Sequence, residues 1–308
     1  MHTPKNKILV TGALGHIGSR LIRELNLPKD FTIILLDNLE SQRYCSLFDL
    51  PPGHKYQFIE ADVRSFEFEP VLKDVSTVIH LAALTNAEGT FDKVKEVEEV
   101  NFEGLKRVAD ACLKSGISLI FPSSTSVYGS AEKVVDETST LEPQSPYADS
   151  KLKAEEYLKS LKPTGLKFVI CRFGTIFGFA PGIRFHTAVN KFTWQALTGK
   201  PISVWKTAFK QRRPYLYIGD CVKAVNFILE KNIFDGEIYN VLTSNFTVED
   251  IVTAIKTFVP DLRINFVDSK IMNQLSYDVA DKKFRSLGFE PTGELLAGVE
   301  ETIKHLKI

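Results

Sequence analysis

The sequence predicts an α/β protein built on a doubly wound parallel sheet, with a smaller α/β subdomain in its C-terminal half. In the first half, short apolar runs rich in β-branched residues alternate five times with helix-like segments, which favours a parallel sheet covered on both faces. From Gly174 onward this alternation loosens and aromatic residues become more frequent. We therefore predict a first domain at residues 1–172, with a returning segment near 214–241, and a second domain at 173–308.

Composition and charge exclude several classes of protein. The chain has 308 residues, of which 44% are hydrophobic and 25% charged, so it is long enough for a large core. Its 38 basic and 38 acidic residues give a formal net charge of zero, so no global field draws it to nucleic acid or to an anionic membrane. Neither its N-terminus nor its apolar runs match a signal peptide or a membrane span.

The cysteines and histidines predict a reducing compartment and no bound metal. The cysteines stand singly among apolar neighbours, with no CxxC pair, which favours reduced thiols in a cytoplasmic protein. They are Cys45, Cys112, Cys171 and Cys221. The six histidines include no HExxH pair, so the sequence has no metal signature.

The stretch from Lys7 to Gly18 predicts a strand, a glycine turn and the start of a helix. Gly12 allows a tight turn, Gly15 lets a pyrophosphate approach the backbone, and Gly18 lets the helix pack closely on the strand. The N-terminus of the helix offers unpaired N–H groups to phosphates. A tight turn without a ligand is the alternative for three glycines alone. The predicted cofactor contacts here are Gly12, Gly15, His16, Ile17 and Gly18.

The second predicted strand, Phe31 to Leu39, supports a Rossmann dinucleotide site. It carries Asp37 about 20 residues beyond the last glycine, where a carboxylate can accept both ribose hydroxyls of an adenosine. The same carboxylate would repel a 2′-phosphate, which favours NAD over NADP. Asn38 is a further predicted contact. Arg43 leaves the phosphorylated cofactor as an alternative, although a solvated loop arginine is the preferred interpretation.

The third and fourth strands are predicted at Tyr56–Glu60 and Ser76–Leu81. Asp62 follows the third strand, where it could bind an adenine amino group or cap a following helix. Two alanines follow the fourth strand and leave room beside a cofactor. His80 is interpreted as a hydrogen-bonded core histidine. Further predicted cofactor contacts are Asp62, Val63, Leu81, Ala82 and Ala83.

A long helix is predicted over Phe91–Ser115, and Gly116 is predicted to follow it at the C′ position and end it. Asn101 is the polar residue within its apolar stripe, and it is a predicted cofactor-site residue. It either faces solvent or, if buried, fixes the loop at the edge of the sheet or a bound water. A fifth strand is predicted at Ser118–Phe121.

A hydroxyl-rich loop follows the fifth strand, and a helix is predicted to begin at about Pro146. Tyr147 and Lys151 are four residues apart, so they project from one face of that helix. A phenol titrates near pH 10, too high for a base at neutral pH. A neighbouring ammonium and a positive nicotinamide ring both favour the phenolate. The Tyr147 and Lys151 pair is informative because it follows a glycine turn and an acidic second strand in the same chain.

These features resemble the extended short-chain dehydrogenases/reductases, and within them the NAD-dependent nucleotide-sugar epimerase/dehydratase family, in its UDP-glucose 4-epimerase-like branch. The resemblance covers essentially the whole chain. In the first half it is carried by TGALGHIG, LLDNL, ADV, HLAAL, Asn101, SSTSVYG and Tyr147-x-x-x-Lys151. In the second half it is carried by CRFGTIFG, RPYLYIGD and LGFEP. As a set, these motifs are highly specific.

The resemblance implies a hydride mechanism. Tyr147 would take the proton from a sugar hydroxyl while NAD+ accepts a hydride from the same carbon. Lys151 would hold the nicotinamide ribose and lower the pKa of Tyr147. Ser124 stands where the galactose-epimerase branch carries the serine that hydrogen-bonds the reacting oxygen, with Thr125 as its substitute. In an epimerase, the transient ketosugar turns over in the site and receives the hydride on its other face.

The hydroxyl-rich loop also separates this chain from two relatives. Dehydratases of the family resemble Thr-Asp-Glu at the positions held here by Ser124, Thr125 and Ser126, and decarboxylating members usually keep the Glu. Elimination of water needs a carboxylate to remove the C5 proton and a second acid for the leaving hydroxyl. A serine at position 126 supplies neither, so dehydration is disfavoured unless an acid comes from elsewhere in the chain.

The second half is expected to bind the substrate, a nucleotide-diphosphate sugar. A helix is predicted from Gly182 to about Thr198, and Thr247 is the predicted N-cap of another helix. Arg184 and His186, near the start of the first of these helices, are candidates for binding sugar or phosphate, although an arginine at a helix start can also simply face solvent.

Arg213 aligns with the family's diphosphate-binding arginine, and the nearby Lys206, Lys210 and Arg212 form a basic cluster that suits a diphosphate or is simply solvated. Two departures from the family are Thr175 in place of an Asn and the missing Gly-Asp-Gly turn before Arg213. The predicted substrate contacts are Thr85, Ser124, Tyr147, Thr175, Arg184, His186 and Arg213.

The sequence therefore predicts an NAD-dependent epimerase of a nucleotide-diphosphate sugar, acting at C4. A ketosugar reductase on the same scaffold is the nearest alternative, and a non-catalytic NAD-binding protein is a more distant one. A homodimer is expected, as in family members, through the helix of Phe91–Ser115 and the helix that carries Tyr147. Packing within one chain explains the same apolar residues.

Overall fold

The structure is a computed structural model that describes residues 5–85, 88–129, 134–268 and 277–306. Within these ranges the strands are β1 (Lys7–Thr11), β2 (Thr32–Asp37), β3 (Lys55–Glu60), β4 (Val75–His80), β5 (Ser118–Ser124), β6 (Phe168–Phe173), β7 (Thr175–Phe177), β8 (Ile202–Trp205), β9 (Arg212–Tyr217), β10 (Ile238–Val241), β11 (Ser244–Thr247) and β12 (Ile264–Val267). The α-helices are α1 (His16–Glu24), α2 (Val94–Val97), α3 (Gly104–Ser115), α4 (Pro146–Leu161), α5 (Ala188–Leu197), α6 (Ile218–Lys231), α7 (Val248–Lys256), α8 (Lys282–Arg285) and α9 (Leu295–Leu306).

Seven of the described strands form one sheet in the order β10-β6-β5-β4-β1-β2-β3, and every neighbouring pair is parallel. The predicted doubly wound parallel sheet is therefore confirmed. The chain runs from β1 outward to β3 and then returns to β4 on the other side of β1, so the strand order reverses between β1 and β4. Open α/β sheets bind ligands outside the carboxyl ends of the strands at such a point.

Apolar side chains cover both faces of this sheet. On β1, Ile8 and Val10 belong to the apolar cluster on one face, whereas Leu9 belongs to the cluster on the other. All three side chains are almost completely buried. This explains why the strand is a continuous apolar run, since both of its faces are covered.

The segment predicted as one helix over Phe91–Ser115 is interrupted. A π-helical stretch, Glu98–Glu103, separates α2 from α3, and Gly116 ends α3 at φ +62° as predicted. Asn101 lies in the π-helical stretch and is 1% exposed. Its side chain accepts a hydrogen bond from the N–H of Leu84 at 2.8 Å and donates to the carbonyl of Leu84 at 3.0 Å. Asn101 is therefore the buried amide that fixes the loop at the edge of the sheet.

The second half of the chain forms a smaller layered unit. A three-stranded sheet, β11-β9-β7, and a two-stranded sheet, β12-β8, lie with α5, α7 and α9 around an apolar cluster of their own. The strand β10, inside the predicted returning segment, pairs with β6 of the large sheet. The domain boundaries themselves stay predictions.

Two helix starts in this half test local sequence signals. Thr247 caps α7 in a capping box with Asp250, as its position before an apolar run indicates. The helix predicted from Gly182 instead begins at Ala188, so residues 182–187 form a loop. Gly182 packs closely on the turn between β1 and α1, and a Cβ at this position would lie 2.3 Å from the carbonyl of Leu14. This tertiary contact, and not helix propensity, therefore determines the conformation of residues 182–187.

No helix within the described ranges is long and apolar enough to cross a membrane.

Candidate active site

A cavity of about 820 Å³ opens at the carboxyl edge of the large sheet, and both halves of the chain line it. Small-molecule sites commonly measure about 300–1,000 Å³. Two predicted site residues, Asn101 and Lys151, are buried and do not line the cavity. The others line it: Gly12, Gly15, His16, Ile17, Gly18, Asp37, Asn38, Asp62, Val63, Leu81, Ala82, Ala83, Thr85, Ser124, Thr125, Tyr147, Thr175, Arg184, His186 and Arg213.

The glycine turn between β1 and α1 leaves an open backbone surface for a diphosphate. A Cβ at Gly12 would lie 2.6 Å from the backbone nitrogen of Ala82, and one at Gly18 would lie 2.5 Å from the carbonyl of Gly12. A Cβ at Gly15 would meet only that carbonyl, at 3.3 Å. Gly15 is also the N-cap of α1 and supplies no capping side chain. The first N–H groups of α1 are thus free of a side-chain cap, and the turn fits the diphosphate of NAD.

Asp37 is held rigidly at the end of β2. Its two carboxylate oxygens accept hydrogen bonds from the backbone N–H groups of Leu14 and Leu39, both at 3.0 Å. The side chain is 9% exposed and lines the cavity. A fixed carboxylate at this position suits ribose hydroxyls and disfavours a 2′-phosphate. The residues therefore fit NAD.

Asp62 is engaged by its neighbours. Both of its oxygens accept hydrogen bonds from the Arg64 guanidinium, at 2.9 and 2.7 Å, and one also accepts from Asn38 at 3.1 Å. The hydrogen bonds from Arg64 are the main reason that the pKa of Asp62 falls to about 2. The alternative in which Asp62 caps a helix is wrong, because a turn follows it. Binding of an adenine amino group stays a prediction.

Tyr147 and Ser124 meet at the centre of the cavity. Helix α4 begins at Pro146, and Ser145 is its N-cap. The Ser145 hydroxyl accepts a hydrogen bond from the N–H of Ala148 at 3.2 Å. This start places Tyr147 in the first turn of α4, where its side chain interacts with that of Ser124. Burial raises the pKa of Tyr147, whereas Ser124 and the charge of Arg184 oppose that rise.

Lys151 lies beneath Tyr147, as the four-residue spacing predicts. Its ammonium donates to the carbonyl of Pro122 at 2.8 Å, and it lies 4.7 Å from the ring centre of Phe121 and 5.9 Å from that of Tyr147. Burial lowers the pKa of Lys151 to about 8. The sequence predicts that Lys151 brings the pKa of Tyr147 below its ordinary value. In the protein alone the pKa of Tyr147 is raised instead, because burial of the phenol outweighs the charges around it.

The structure favours Ser124 over Thr125 as the partner of the reacting oxygen. Thr125 is 3% exposed and its hydroxyl donates to the carbonyl of Phe173 at 3.3 Å, so this hydroxyl is already engaged. Sequence reasoning assigned no role to Tyr277, which lines the cavity and donates to the carbonyl of Thr125 at 3.1 Å. No local motif marks Tyr277, because a long-range contact brings it to the site.

Beneath the site lies a buried ion pair that the sequence does not reveal. Arg172 and Glu155 are 1% and 0% exposed and form two hydrogen bonds, at 3.0 and 2.7 Å. Ser123 donates to Glu155 at 2.5 Å, and Arg172 also donates to the hydroxyl of Tyr128 at 2.9 Å. Glu155 is one helical turn beyond Lys151. This ion pair therefore joins α4, β5 and β6 directly below the catalytic candidates.

Residues from the second half of the chain complete the lining of the cavity. Arg184 donates a hydrogen bond to the hydroxyl of Thr85, and burial is the main reason that the pKa of Arg184 falls to about 10. Thr175 and Arg213 lie on the paired strands β7 and β9. His186 lies at the exposed mouth of the cavity.

The basic residues predicted as one cluster around Arg213 lie in two different environments. Lys206 and Arg212 form ion pairs with Asp268 and Asp278, at 3.1 and 2.8 Å, on the exposed surface. Within the described residues of this run, only Arg213 is a basic side chain that lines the cavity. The solvated interpretation therefore fits most of the cluster.

The family profile for NAD-dependent epimerases and dehydratases matches residues 8–241, which include the glycine turn, Ser124, Tyr147 and Lys151. The chain belongs to the NAD-dependent epimerase/dehydratase family. It is an enzyme of the extended short-chain dehydrogenase/reductase type, and its cofactor is NAD.

Individual members of this family are similar over almost the whole chain. An uncharacterized UDP-glucose epimerase of Bacillus subtilis is 30% identical over 97% of this chain and 98% of its own length. The dTDP-D-glucose 4,6-dehydratase of Mus musculus is 29% identical over 97% of this chain and 88% of its own. The UDP-glucuronic acid 4-epimerase of Bacillus cereus, solved with UDP-glucuronic acid and NAD, is 26% identical with a TM-score of 0.89, over 98% and 99% of the two chains.

Two buried histidines predict that the protein loses stability in mild acid. His80 is bonded through Nδ1 to the Thr11 hydroxyl at 2.8 Å, and His16 through Nε2 to the carbonyl of Gly178 at 2.9 Å. Burial lowers their pKa values from 6.5 to about 3 and about 4. The unfolded chain binds protons at these groups below pH 6.5, whereas the folded chain does so only near 4 or below. The folded state therefore loses stability as the pH falls through this window.

We expect Tm to fall between pH 6.5 and 4, with a contribution of at most about 3 kcal/mol from His16. In the variant His16→Gln, whose amide can still donate to Gly178, the fall should be smaller. Thermal unfolding at pH 7, 5.5 and 4.5 measures the difference. Identical slopes for the variant and the unmodified protein would contradict the assignment.

Proposed function

We propose that this chain is an NAD-dependent epimerase that inverts C4 of the sugar in a nucleotide-diphosphate sugar, through a transient ketosugar. The observation that carries the proposal is that Tyr147 and Ser124 line, and interact within, the cavity that also contains the glycine turn. A positioned phenol beside a dinucleotide site can remove a proton from a sugar hydroxyl while a hydride leaves the same carbon. A binding protein would not need this pair.

In this mechanism Tyr147 is the general base and Ser124 positions the reacting oxygen. NAD supplies the hydride acceptor when bound, and its positively charged nicotinamide favours the phenolate. Lys151, fixed by the carbonyl of Pro122 and buried below Tyr147, holds a further positive charge in the same region. Tyr147 returns its proton to the sugar oxygen when the ketosugar is reduced on its other face. Tyr147 thus acts as the general base in one half of the reaction and as the general acid in the other.

The dehydratase alternative lacks an acid at the reacting carbon. The positions where dehydratases resemble Thr-Asp-Glu hold Ser124, Thr125 and Ser126 in this chain. The Ser126 hydroxyl donates to Ser124 at 2.9 Å and cannot remove a C5 proton. The similarity to a dehydratase therefore supports the shared scaffold and the hydride step, but not the elimination of water.

We propose that Arg213 binds the substrate diphosphate and that Thr175 contacts the sugar. Both line the cavity, on the paired strands β7 and β9. A guanidinium can bind a phosphate through two parallel hydrogen bonds. We further propose that the protein acts as a homodimer in the cytoplasm, which analytical ultracentrifugation and fractionation of the source cells would test.

Incubation with a panel of UDP-, GDP-, CDP- and dTDP-sugars tests the proposed reaction. We expect the purified protein to convert at least one of them to its C4 epimer without added cofactor, because the cofactor is regenerated in each cycle. Chromatographic separation of the products identifies the sugar. A strict requirement for fresh NADH or NADPH would support the ketosugar reductase, and no conversion of any sugar would overturn the proposal.

A further inference from the structure

The loop of residues 178–184 belongs to the second half of the chain, yet it packs on the first helix. Arg20 of α1 donates to the carbonyl of Phe179 at 3.1 Å, and the N–H of Gly182 donates to the hydroxyl of Ser19 at 2.9 Å. Ser19 is completely buried. The loop is therefore tied to the helix whose N-terminus forms part of the cofactor turn.

Gly182 brings this loop into contact with the glycine turn itself. A Cβ at Gly182 would lie 2.3 Å from the carbonyl of Leu14 and 2.8 Å from that of Gly15. No side chain fits between the two backbones. Arg184 follows two residues later and lines the cavity. The contact at Gly182 therefore fixes where the Arg184 backbone lies relative to the turn.

Arg184 forms no ion pair with a carboxylate among the described residues, although the charge of Asp37 acts on it from a greater distance. Its one hydrogen bond among the described side chains goes to a neutral hydroxyl, that of Thr85. Burial, and next the positive charge of Arg43, lower the pKa of Arg184. The same two arginines also disfavour protonation of His16 and His186. Arg184 and Arg43 are therefore close enough to the first turn of α1 to act on His16 there.

The carboxylates that line the cavity are engaged elsewhere. The oxygens of Asp37 accept from backbone N–H groups, Asp62 is bound by Arg64, and Glu40 accepts from Asn38 at 3.5 Å. Within the described residues, no carboxylate forms an ion pair with Arg184 or Arg43. A partly buried guanidinium near the N-terminus of a helix, such as that of Arg184, is stabilised by an anion bound beside it.

We propose that Arg184 closes over the diphosphate of NAD, so that the second half of the chain retains the cofactor held by the first. The 178–184 loop then acts as a clasp across the two halves. This inference deepens the proposed function, since an epimerase regenerates NAD and profits from keeping it. It depends on NAD at the glycine turn and not on the identity of the sugar.

The variant Arg184→Gln tests this clasp through the cofactor content. The purified holoprotein is passed over a desalting column, and the NAD that remains per chain is measured after denaturation. We expect NAD to dissociate about tenfold faster or more from the variant, because hydrogen bonds to charged groups contribute more than neutral ones. Arg184→Lys should restore part of the retention. Gly182→Ala, which keeps the charge but displaces the loop, should also release NAD.

Arg213→Gln is the matched control, because it removes one guanidinium from the lining of the same cavity. It should retain NAD like the unmodified protein. If Arg184→Gln retains NAD as well and only raises KM for the nucleotide sugar, Arg184 is a substrate residue and the clasp is wrong. If Arg184→Gln releases NAD faster but the unmodified protein converts no sugar, the clasp is supported and the proposed epimerase is overturned.

Discussion

Replacing Tyr147 by phenylalanine is expected to lower kcat by about 10²–10⁴-fold, the usual contribution of a positioned general base. The change removes the hydroxyl that interacts with Ser124 and leaves the ring in place. The NAD content should stay unchanged, because the hydroxyl makes no contact with the glycine turn. Epimerisation rates and the NAD released per chain measure the two expectations separately.

Tyr277→Phe is the matched control for this experiment. Tyr277 also lines the cavity, but its hydroxyl donates to the backbone carbonyl of Thr125 and has no assigned role in the chemistry. We expect its removal to cost less than about tenfold in kcat, in keeping with the loss of one neutral hydrogen bond. Turnover that survives in Tyr147→Phe would refute the assigned base.

Breaking the buried ion pair below the site is expected to cause the largest loss of stability. Glu155→Leu leaves the guanidinium of Arg172, which is 1% exposed, without its carboxylate. Removing one partner of a buried pair costs about 3–5 kcal/mol, because the remaining charge stays desolvated. The free energy of unfolding, measured with urea, should fall by this amount.

Two further variants separate the charge effect from the loss of packing. In the double variant Glu155→Leu with Arg172→Met, both charges are gone, and most of the stability should return. The exposed ion pair between Lys153, also on α4, and Glu98 of the π-helical stretch, 2.7 Å apart, provides the surface control. Glu98→Gln should cost less than about 1 kcal/mol. A Glu155→Leu variant as stable as Glu98→Gln would show that the buried pair does not stabilise the fold.

Much of the fold could be predicted because its signals are local. A strand, three glycines and a helix follow one another within twelve residues from Lys7 to Gly18, and Asp37 follows at a fixed interval. Tyr147 and Lys151 share a helical face by their spacing alone. For the same reason the capping box at Thr247 and the end of α3 at Gly116 are confirmed.

The missed features depend on contacts between distant parts of the chain. Arg172 and Glu155 lie in separate motifs, and only the packing of α4 on the sheet joins them. The π-helical stretch contains Asn101, whose side chain binds the backbone of Leu84, and the periodicity of the sequence does not indicate this contact. The Gly182 loop replaces a predicted helix turn because it meets Leu14 across the molecule.

The position of β10 at the end of the large sheet also has a consequence for biosynthesis. A ribosome releases β6, which ends at Phe173, well before Ile238–Val241 emerges to cover its free side. Until then the nascent chain presents a long, apolar strand with unpaired backbone groups, the kind of edge on which polypeptides aggregate. Truncation after residue 172 should therefore yield insoluble material, and chaperone demand during translation should peak between these two points.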